Sequence, residues 1–212
     1  MKRQAIVLAA VAALALGLGT AAVLAGGQSA GSAATSEKWL HVSVVSHDAK
    51  GETVRVNVPL SLAEAVLPAI NKHKLHAGKV RINEFNVDGV DVRAVLNAVK
   101  STRDGEFVTV ESKEQTVRVV KEAGYLLVKV KEDRGERLGK DGEKRPARSE
   151  RVDVKIPMTV VEALLSGDKN ELDLVAAIRA LAAHGDAVLV TVEDNQNSVK
   201  VWVDSKNTSS GT

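Results

Sequence analysis

The chain has 212 residues, no cysteine, 2% aromatic residues and a formal net charge of +2. Without cysteine it can form neither a disulfide nor a lipidated N-terminal cysteine, so the fold must depend on its hydrophobic core. Low net charge and few aromatic rings leave little to neutralise phosphates or to stack on bases, and we expect no nucleic-acid partner.

The first 25 residues have the pattern of an export signal, because Lys2 and Arg3 precede a long apolar run. An uncleaved anchor is the alternative, since about 20 apolar residues can span a bilayer. Removing residues 1–25 removes two basic and no acidic residues, which leaves a neutral chain. We expect an extracytoplasmic protein, in the bacterial periplasm or cell envelope, with a flexible linker at 26–37 and a disordered tail at 205–212.

Two long segments of the chain repeat each other. Residues 53–67 align with 151–165 at an offset of 98 positions, and residues 91–122 align with 173–204 at an offset of 82. The register holds without a gap inside each segment. A constant offset of this length is typical of a duplicated supersecondary unit.

Each repeat reads strand, strand, helix, helix, strand, strand. Alternating valines mark the strands, Pro59 and Pro157 end the second strand of each repeat, and a helical apolar stripe follows. The sequence therefore predicts an α+β protein of two tandem duplicated ββααββ units, at 38–122 and 125–204. Each unit is expected to form an antiparallel sheet with its helices on one face.

The helix starts carry recognisable signals. The S/T-x-x-E spacing predicts capping boxes at Ser61 with Glu64 and at Thr159 with Glu162. Aspartates stand where the second helix of each repeat should begin, and they are predicted N-caps: Asp91 and Asp173.

No reactive constellation is present in the sequence. His73 and His76 are spaced as a metal pair but have no third ligand nearby, so we expect no metal and no cofactor. The matched carboxylates Glu111 and Glu193 are best explained as solvated strand residues. The alternative is a hydrolase that uses them in a cleft between the repeats.

Residues 129–151 contain nine basic and six acidic residues together with several glycines. This composition is typical of a solvated, mobile hairpin tip. The alternative is docking of this segment to an anionic envelope surface.

Strand parity places several large apolar residues on the sheet face away from the helices, where they should be costly in water. Packing between the repeats or across a homodimer would cover them, and so would a partner or an apolar ligand. The predicted binding residues are Phe107, Leu127, Leu189 and Trp202.

The pattern V-x-V-x-[VI]-P-[LM]-x-[LV]-x-E-A occurs at 54–65 and at 152–163, and Val-Thr-Val-Glu ends at Glu111 and at Glu193. Together with Val-x-Val-Trp-Val-Asp at 199–204, this arrangement resembles a domain of bacterial YvlB/LiaX-like envelope-stress proteins. The resemblance covers both repeats. It implies a non-enzymatic envelope module that senses or binds peptides or other surface-active agents.

These observations lead to one functional prediction: an exported, non-catalytic envelope protein that acts as a binding or scaffolding module through its sheet faces. The expected partner is an envelope protein, a peptide or a lipid, with homo-oligomerisation as an alternative. Membrane attachment is expected only if the N-terminal segment stays uncleaved.

Overall fold

The computed structural model describes residues 37–47, 51–71, 75–81, 92–138, 144–145, 147–168 and 170–208. The predicted signal, the linker up to Ser36, and the predictions for His73 and Asp91 lie outside the described residues. No helix within the described ranges has the length and apolarity to cross a membrane.

Strands and short helices alternate along the described chain. Their bounds are β1 (Trp39–Ser46), β2 (Thr53–Pro59), α1 (Leu60–Val66), a 3-10 turn (Leu67–Ala69), β3 (Leu75–His76), β4 (Lys79–Arg81), α2 (Val92–Ser101), β5 (Gly105–Glu111), β6 (Gln115–Glu122), β7 (Tyr125–Arg134), β8 (Arg137–Leu138), β9 (Lys144–Arg145), β10 (Arg148–Pro157), α3 (Met158–Leu164), β11 (Glu171–Asp173), α4 (Leu174–His184), β12 (Ala187–Asp194) and β13 (Asn197–Asp204). Mixed helices and antiparallel strands confirm the predicted α+β class.

One eight-stranded sheet contains strands from both sequence repeats, in the order β2-β1-β13-β12-β10-β7-β6-β5. The four main strands of the second half are adjacent in the middle. The two hairpins of the first half, β1–β2 and β5–β6, flank them on opposite sides. The described strands of the first half therefore form no four-stranded sheet of their own, unlike the predicted self-contained unit. A three-stranded sheet, β11-β4-β3, and the β8–β9 pair complete the strands.

The junction between the repeats explains part of this order. Only Ala123 and Gly124 separate β6 from β7, and both have positive φ, at 48° and 79°. Two such residues in succession fit a tight hairpin turn, because their backbone twist matches that of the flanking strands. The predicted boundary is thus the turn of a hairpin that joins the two halves through eight paired positions.

Four helices pack on one face of this sheet, and each of the two hydrophobic cores beneath them draws residues from both halves. The first core is Val99, Leu126, Met158, Val161 and Leu165, and the second is Leu60, Leu181 and Val203. Burial of each such side chain stabilises the fold by roughly 1.5–3 kcal/mol. Among the described residues, neither half has a core cluster made only of its own residues.

The helix starts differ from prediction in one respect. Pro59 and Pro157 are the N-cap residues of α1 and α3, and neither helix has a side-chain cap. The capping boxes are wrong, because each proline sets the helix start before the predicted hydroxyl residue. The predicted cap at Asp173 is confirmed, since its carboxylate accepts a hydrogen bond from the Ala176 N–H at 2.8 Å.

Candidate functional site

We call the face of the eight-stranded sheet opposite the helices the outer face. Trp202 lies on it and is partly buried. Its ring stacks on His41 with centroids 4.9 Å apart and planes 19° from parallel. The indole N–H donates to Asp204 Oδ2 at 3.0 Å, and Lys200 Nζ lies 5.3 Å from the ring centroid. Trp202 is therefore held in one orientation by its own neighbours.

His41 is fully buried beneath this ring. Its Nδ1 is 2.7 Å from Asn57 Oδ1, and its Nε2 is 3.1 Å from Asp204 Oδ1. A histidine beside a carboxylate can serve in acid–base chemistry, but a proton donor or acceptor must reach the substrate. Because His41 has no exposed surface, the cluster positions Trp202 and is not built to meet a ligand itself.

Asp204 is the anion of this cluster. Burial acts to raise its pKa. Three groups act in the opposite direction: the Lys206 backbone N–H and the Trp202 indole donate hydrogen bonds, and His41 adds its charge and a hydrogen bond. Together they outweigh burial and lower the pKa of Asp204. The carboxylate therefore remains charged at neutral pH and keeps its bonds to both rings.

A groove of about 460 Å³ opens on the outer face beside this cluster. Its larger apolar lining residues are Leu127 on β7, Val154 on β10, and Val188 and Leu189 on β12, of which Val188 is exposed. Val188 lies directly opposite Trp202 in the β12–β13 ladder, so the indole borders the same surface. We call Leu127, Val188 and Trp202 the apolar strip; β10, with Lys155 paired to Leu127, lies between Leu127 and Val188.

Polar groups surround the strip. Lys155 Nζ lies 4.2 Å from the centre of the Tyr125 ring, and the Tyr125 hydroxyl is 3.0 Å from His184 Nε2 at the end of α4. Lys129 and Asp153 line the groove further along the strands. The groove therefore combines apolar side chains with charges of both signs.

The structure places Leu127 and Trp202 on the outer face, where strand parity puts them. Phe107 and Leu189 instead pack against the helix-side cores, although Leu189 also contributes to the lining of the groove. Their predicted orientation is wrong, because a β-bulge interrupts each ladder at that residue and reverses the alternation. Val188, which sequence reasoning missed, takes the outward position that parity assigned to its neighbour. No local sequence signal marked the bulge.

The two carboxylates of the hydrolase alternative do not converge. Glu111 lies on the edge strand β5 and Glu193 on β12, four strand spacings away, and both are exposed. At roughly 4.8 Å per spacing, this separation is about 19 Å along the sheet. Paired-carboxylate catalysis requires a much shorter separation, so these residues form no joint site.

Among the described residues, no three potential metal ligands come together. His76 is exposed in the short β3–β4 hairpin. The described part of residues 129–151 is more regular than predicted, because β7 continues to Arg134 and β10 begins at Arg148. Arg134 forms ion pairs with Glu132 and Glu114 there. Docking of this segment to an anionic surface stays a prediction.

Comparison with known proteins bears on the first half of the chain. Residues 38–120 match the family model of the YvlB-like protein, C-terminal domain. The match begins just before β1 and ends within β6, so it spans the first predicted unit. No curated protein and no solved structure matches the chain. The resemblance is thus confirmed for the first repeat, and its extension to the second repeat stays a prediction.

Proposed function

We propose that this protein is a non-catalytic binding module of the bacterial cell envelope that holds an amphipathic peptide segment of a partner in its outer-face groove. The observation that carries the proposal is the apolar strip of Leu127, Val188 and Trp202 on a sheet face that none of the described helices covers. Exposed apolar surface bordered by polar groups is characteristic of protein interaction sites.

The chemistry of the groove favours a peptide over a small apolar molecule. Apolar side chains of the ligand would contact Leu127 and Val188, while Lys129, Lys155 and Asp153 in the groove lining would pair with charges of either sign. The Trp202 ring is already oriented by His41, so little conformational freedom would be lost when it contacts a ligand.

The location in the envelope rests on other support. The N-terminal residues have the pattern of an export signal. The first half is similar to the C-terminal domain of YvlB-like proteins.

The proposal includes a tandem duplication of the ββααββ unit. The two bulges support it, because they interrupt the ladders at 106/108 and at 188/190, which differ by the repeat offset of 82. The proline-started helices α1 and α3 support it in the same way, with the repeat offset of 98.

Photo-crosslinking in the native cell tests the groove. A photoreactive residue at position 188 and another at position 127 should capture the same partner, identified by mass spectrometry. Val45 provides a matched control, since it lies on the outer face of β1 outside the groove lining. Capture of the same species from position 45, or of no species from positions 127 and 188, would refute a groove-specific partner.

A binding measurement follows the capture. A peptide from the captured partner should bind the purified protein, and Val188→Glu should weaken this affinity by about tenfold or more, because it introduces a charge into an apolar contact. Val45→Glu should leave the affinity unchanged. Circular dichroism checks that both variants retain the fold.

A further inference from the structure

Exposed apolar side chains concentrate at the two ends of the sheet. Among the described residues, six large apolar side chains are exposed, and Val188 of the groove is one of them. The other five all lie on β2, α1, α2 and β5: Val54, Leu62, Val95, Val108 and Val110. The edge-strand valines are substantially exposed, at 56% for Val54, 42% for Val108 and 49% for Val110.

The equivalent positions in the second repeat are covered. Val54 corresponds to Val152 at the 98-residue offset, and Val110 corresponds to Val192 at the 82-residue offset. Val152 is 8% exposed and Val192 is 7% exposed. They are paired directly with each other in the ladder that joins β10 to β12.

The helices show the same contrast. Val95 on α2 is exposed, whereas Ala177, its equivalent on α4, is buried. Leu62 on α1 is exposed, whereas Val160 on α3 packs against the second core. In the second half α3 and α4 pack against each other, and α3 also contacts β10. Four of the five exposed residues, Val54, Leu62, Val95 and Val110, therefore mark the equivalent contact surface of the first repeat, divided between the two ends of the sheet.

The second repeat also gives the register that a contact between β2 and β5 would have. In the β10–β12 ladder, Val152 pairs with Val192 and Asp153 pairs with Thr191. The repeat offsets convert these pairs into Val54 with Val110 and Arg55 with Thr109. The two strands named by this conversion, β2 and β5, are the outermost strands of the sheet and each pairs with one strand among the described residues.

We propose that β2 of one copy of this chain pairs with β5 of a second copy, in the register that β10 and β12 use within the chain. Six strands separate β2 from β5 in one copy. Neighbouring strands are antiparallel throughout, and their number is even. A second copy therefore presents β5 antiparallel to β2 while its helices remain on the same face. This contact lets α1 of one copy approach α2 of the next and covers the exposed Leu62 and Val95.

The contact is head-to-tail, because each copy offers one β2 edge and one β5 edge. Such interfaces generate a ring when the rotation closes and a filament when it does not. Exposed edge strands with apolar residues are also the surfaces that proteins usually protect against association. The inference rests on the repeat relation and does not depend on a ligand in the outer-face groove.

Engineered cysteines test the register, and the absence of native cysteine removes background. Full-length Arg55→Cys and Thr109→Cys are mixed and oxidised, and the product is a disulfide-linked heterodimer on non-reducing gels. Directly opposed residues of antiparallel strands lie within the distance range of a disulfide. A mixture of Arg55→Cys with Glu111→Cys should give about tenfold less product, since diagonal positions lie roughly 7–8 Å apart.

The double variant R55C/T109C distinguishes pairing of β2 with β5 within one chain from pairing between two chains. If it forms an intrachain disulfide while the mixed single variants stay unlinked, β2 meets β5 of its own chain and the proposal is wrong. Absence of both products also overturns it, because the edges then remain apart. Equal linking by Glu111→Cys would refute the register.

The mass in solution gives an independent test. Light scattering of the full-length protein should give at least twice the 22.4 kDa of one chain. Val54→Lys combined with Val110→Lys should shift the mass to that of one chain at the same concentration. The control Val188→Lys changes an exposed valine of the groove and should leave the mass unchanged, so failure of the groove proposal and of this one are separable. A parent protein of 22.4 kDa, or an assembly that resists the double variant, overturns the proposal.

Discussion

Replacement of Arg93 by methionine should unfold the protein at distinctly lower temperature. Arg93 projects from α2 in the first half to the turn that follows α3 in the second. Its Nη1 donates to the carbonyl oxygens of Asp168 at 2.8 Å and Glu171 at 2.5 Å. Its Nη2 donates to those of Leu165 at 2.8 Å and Gly167 at 2.9 Å. One guanidinium thus satisfies four carbonyls at the end of a helix and its following turn.

The magnitude follows from the burial of these bonds. Three of the four lie in partly buried surroundings, and the bond to Asp168 is exposed. Taking about 1 kcal/mol for each partly buried bond and nothing for the exposed one gives a loss of about 3 kcal/mol. For a domain of this size, this corresponds to a fall in Tm of roughly 6–12 °C. Methionine retains the apolar part of the side chain, so the change reports mainly the hydrogen bonds.

Urea unfolding followed by tryptophan fluorescence measures the loss, with differential scanning calorimetry for Tm. Arg179→Met is the matched control, since Arg179 is exposed and pairs only with Glu64 in the contacts described, at 2.6 Å. Arg179→Met should lower the free energy of unfolding by less than about 1 kcal/mol. Arg93→Lys should restore about a third of the loss, because one ammonium cannot reach four diverging carbonyls. If Arg93→Met lowers the free energy of unfolding no more than Arg179→Met does, the hydrogen bonds of Arg93 do not stabilise the fold and the reasoning is wrong.

Three further predictions concern other positions. Gly78→Ala should cost about 1–3 kcal/mol in urea unfolding, because Gly78 has a φ of +76° and a Cβ there would lie 2.4 Å from Val175 Cγ2. Asp204→Asn should lower stability at pH 7. The folded-state pKa of Asp204 is depressed, so its contribution to stability is present above the unfolded pKa of about 3.8 and is lost as pH falls through the folded pKa. The difference in free energy of unfolding between wild type and variant should therefore be smaller at about pH 3 than at pH 7. Asp173→Ala should cost about 1 kcal/mol because it removes a helix cap, while Ser61→Ala should cost only a few tenths, and thermal unfolding of the two variants compares them directly.

Several elements of this fold could be read from the sequence because their causes are local. Alternating valines predicted the hairpins, and Asp173 predicted the start of α4 through a bond to an amide three residues away. The prediction of capping boxes was wrong because a proline precedes each of them and fixes the start of the helix. Pro59, with φ at −61°, already takes the N-cap position of α1 two residues before Ser61.

The candidate site was predictable only in part. Strand parity placed Leu127 and Trp202 on the outer face, where the structure has them. It failed at Phe107 and Leu189 because one extra residue in each ladder changes the side-chain direction, and the extra residue exists only relative to a paired strand. The stacking of Trp202 on His41 likewise depends on the register between β1 and β13, which are far apart in the chain.

The sequence by itself determined the α+β class, the order of the main strands and helices without the short strands β3, β4, β8, β9 and β11, and a repeat whose two copies carry the same alternation and proline signals. Which hairpins pair was decided only by the tertiary structure. Repeated strands present nearly equivalent hydrogen-bonding edges and apolar faces, so the edge of β1 that β2 leaves open could pair with another strand of its own repeat or with β13 of the other at similar local energy. The two-residue turn at Ala123–Gly124 and two cores shared between the halves favour the second arrangement, because they bury apolar surface that neither repeat covers alone.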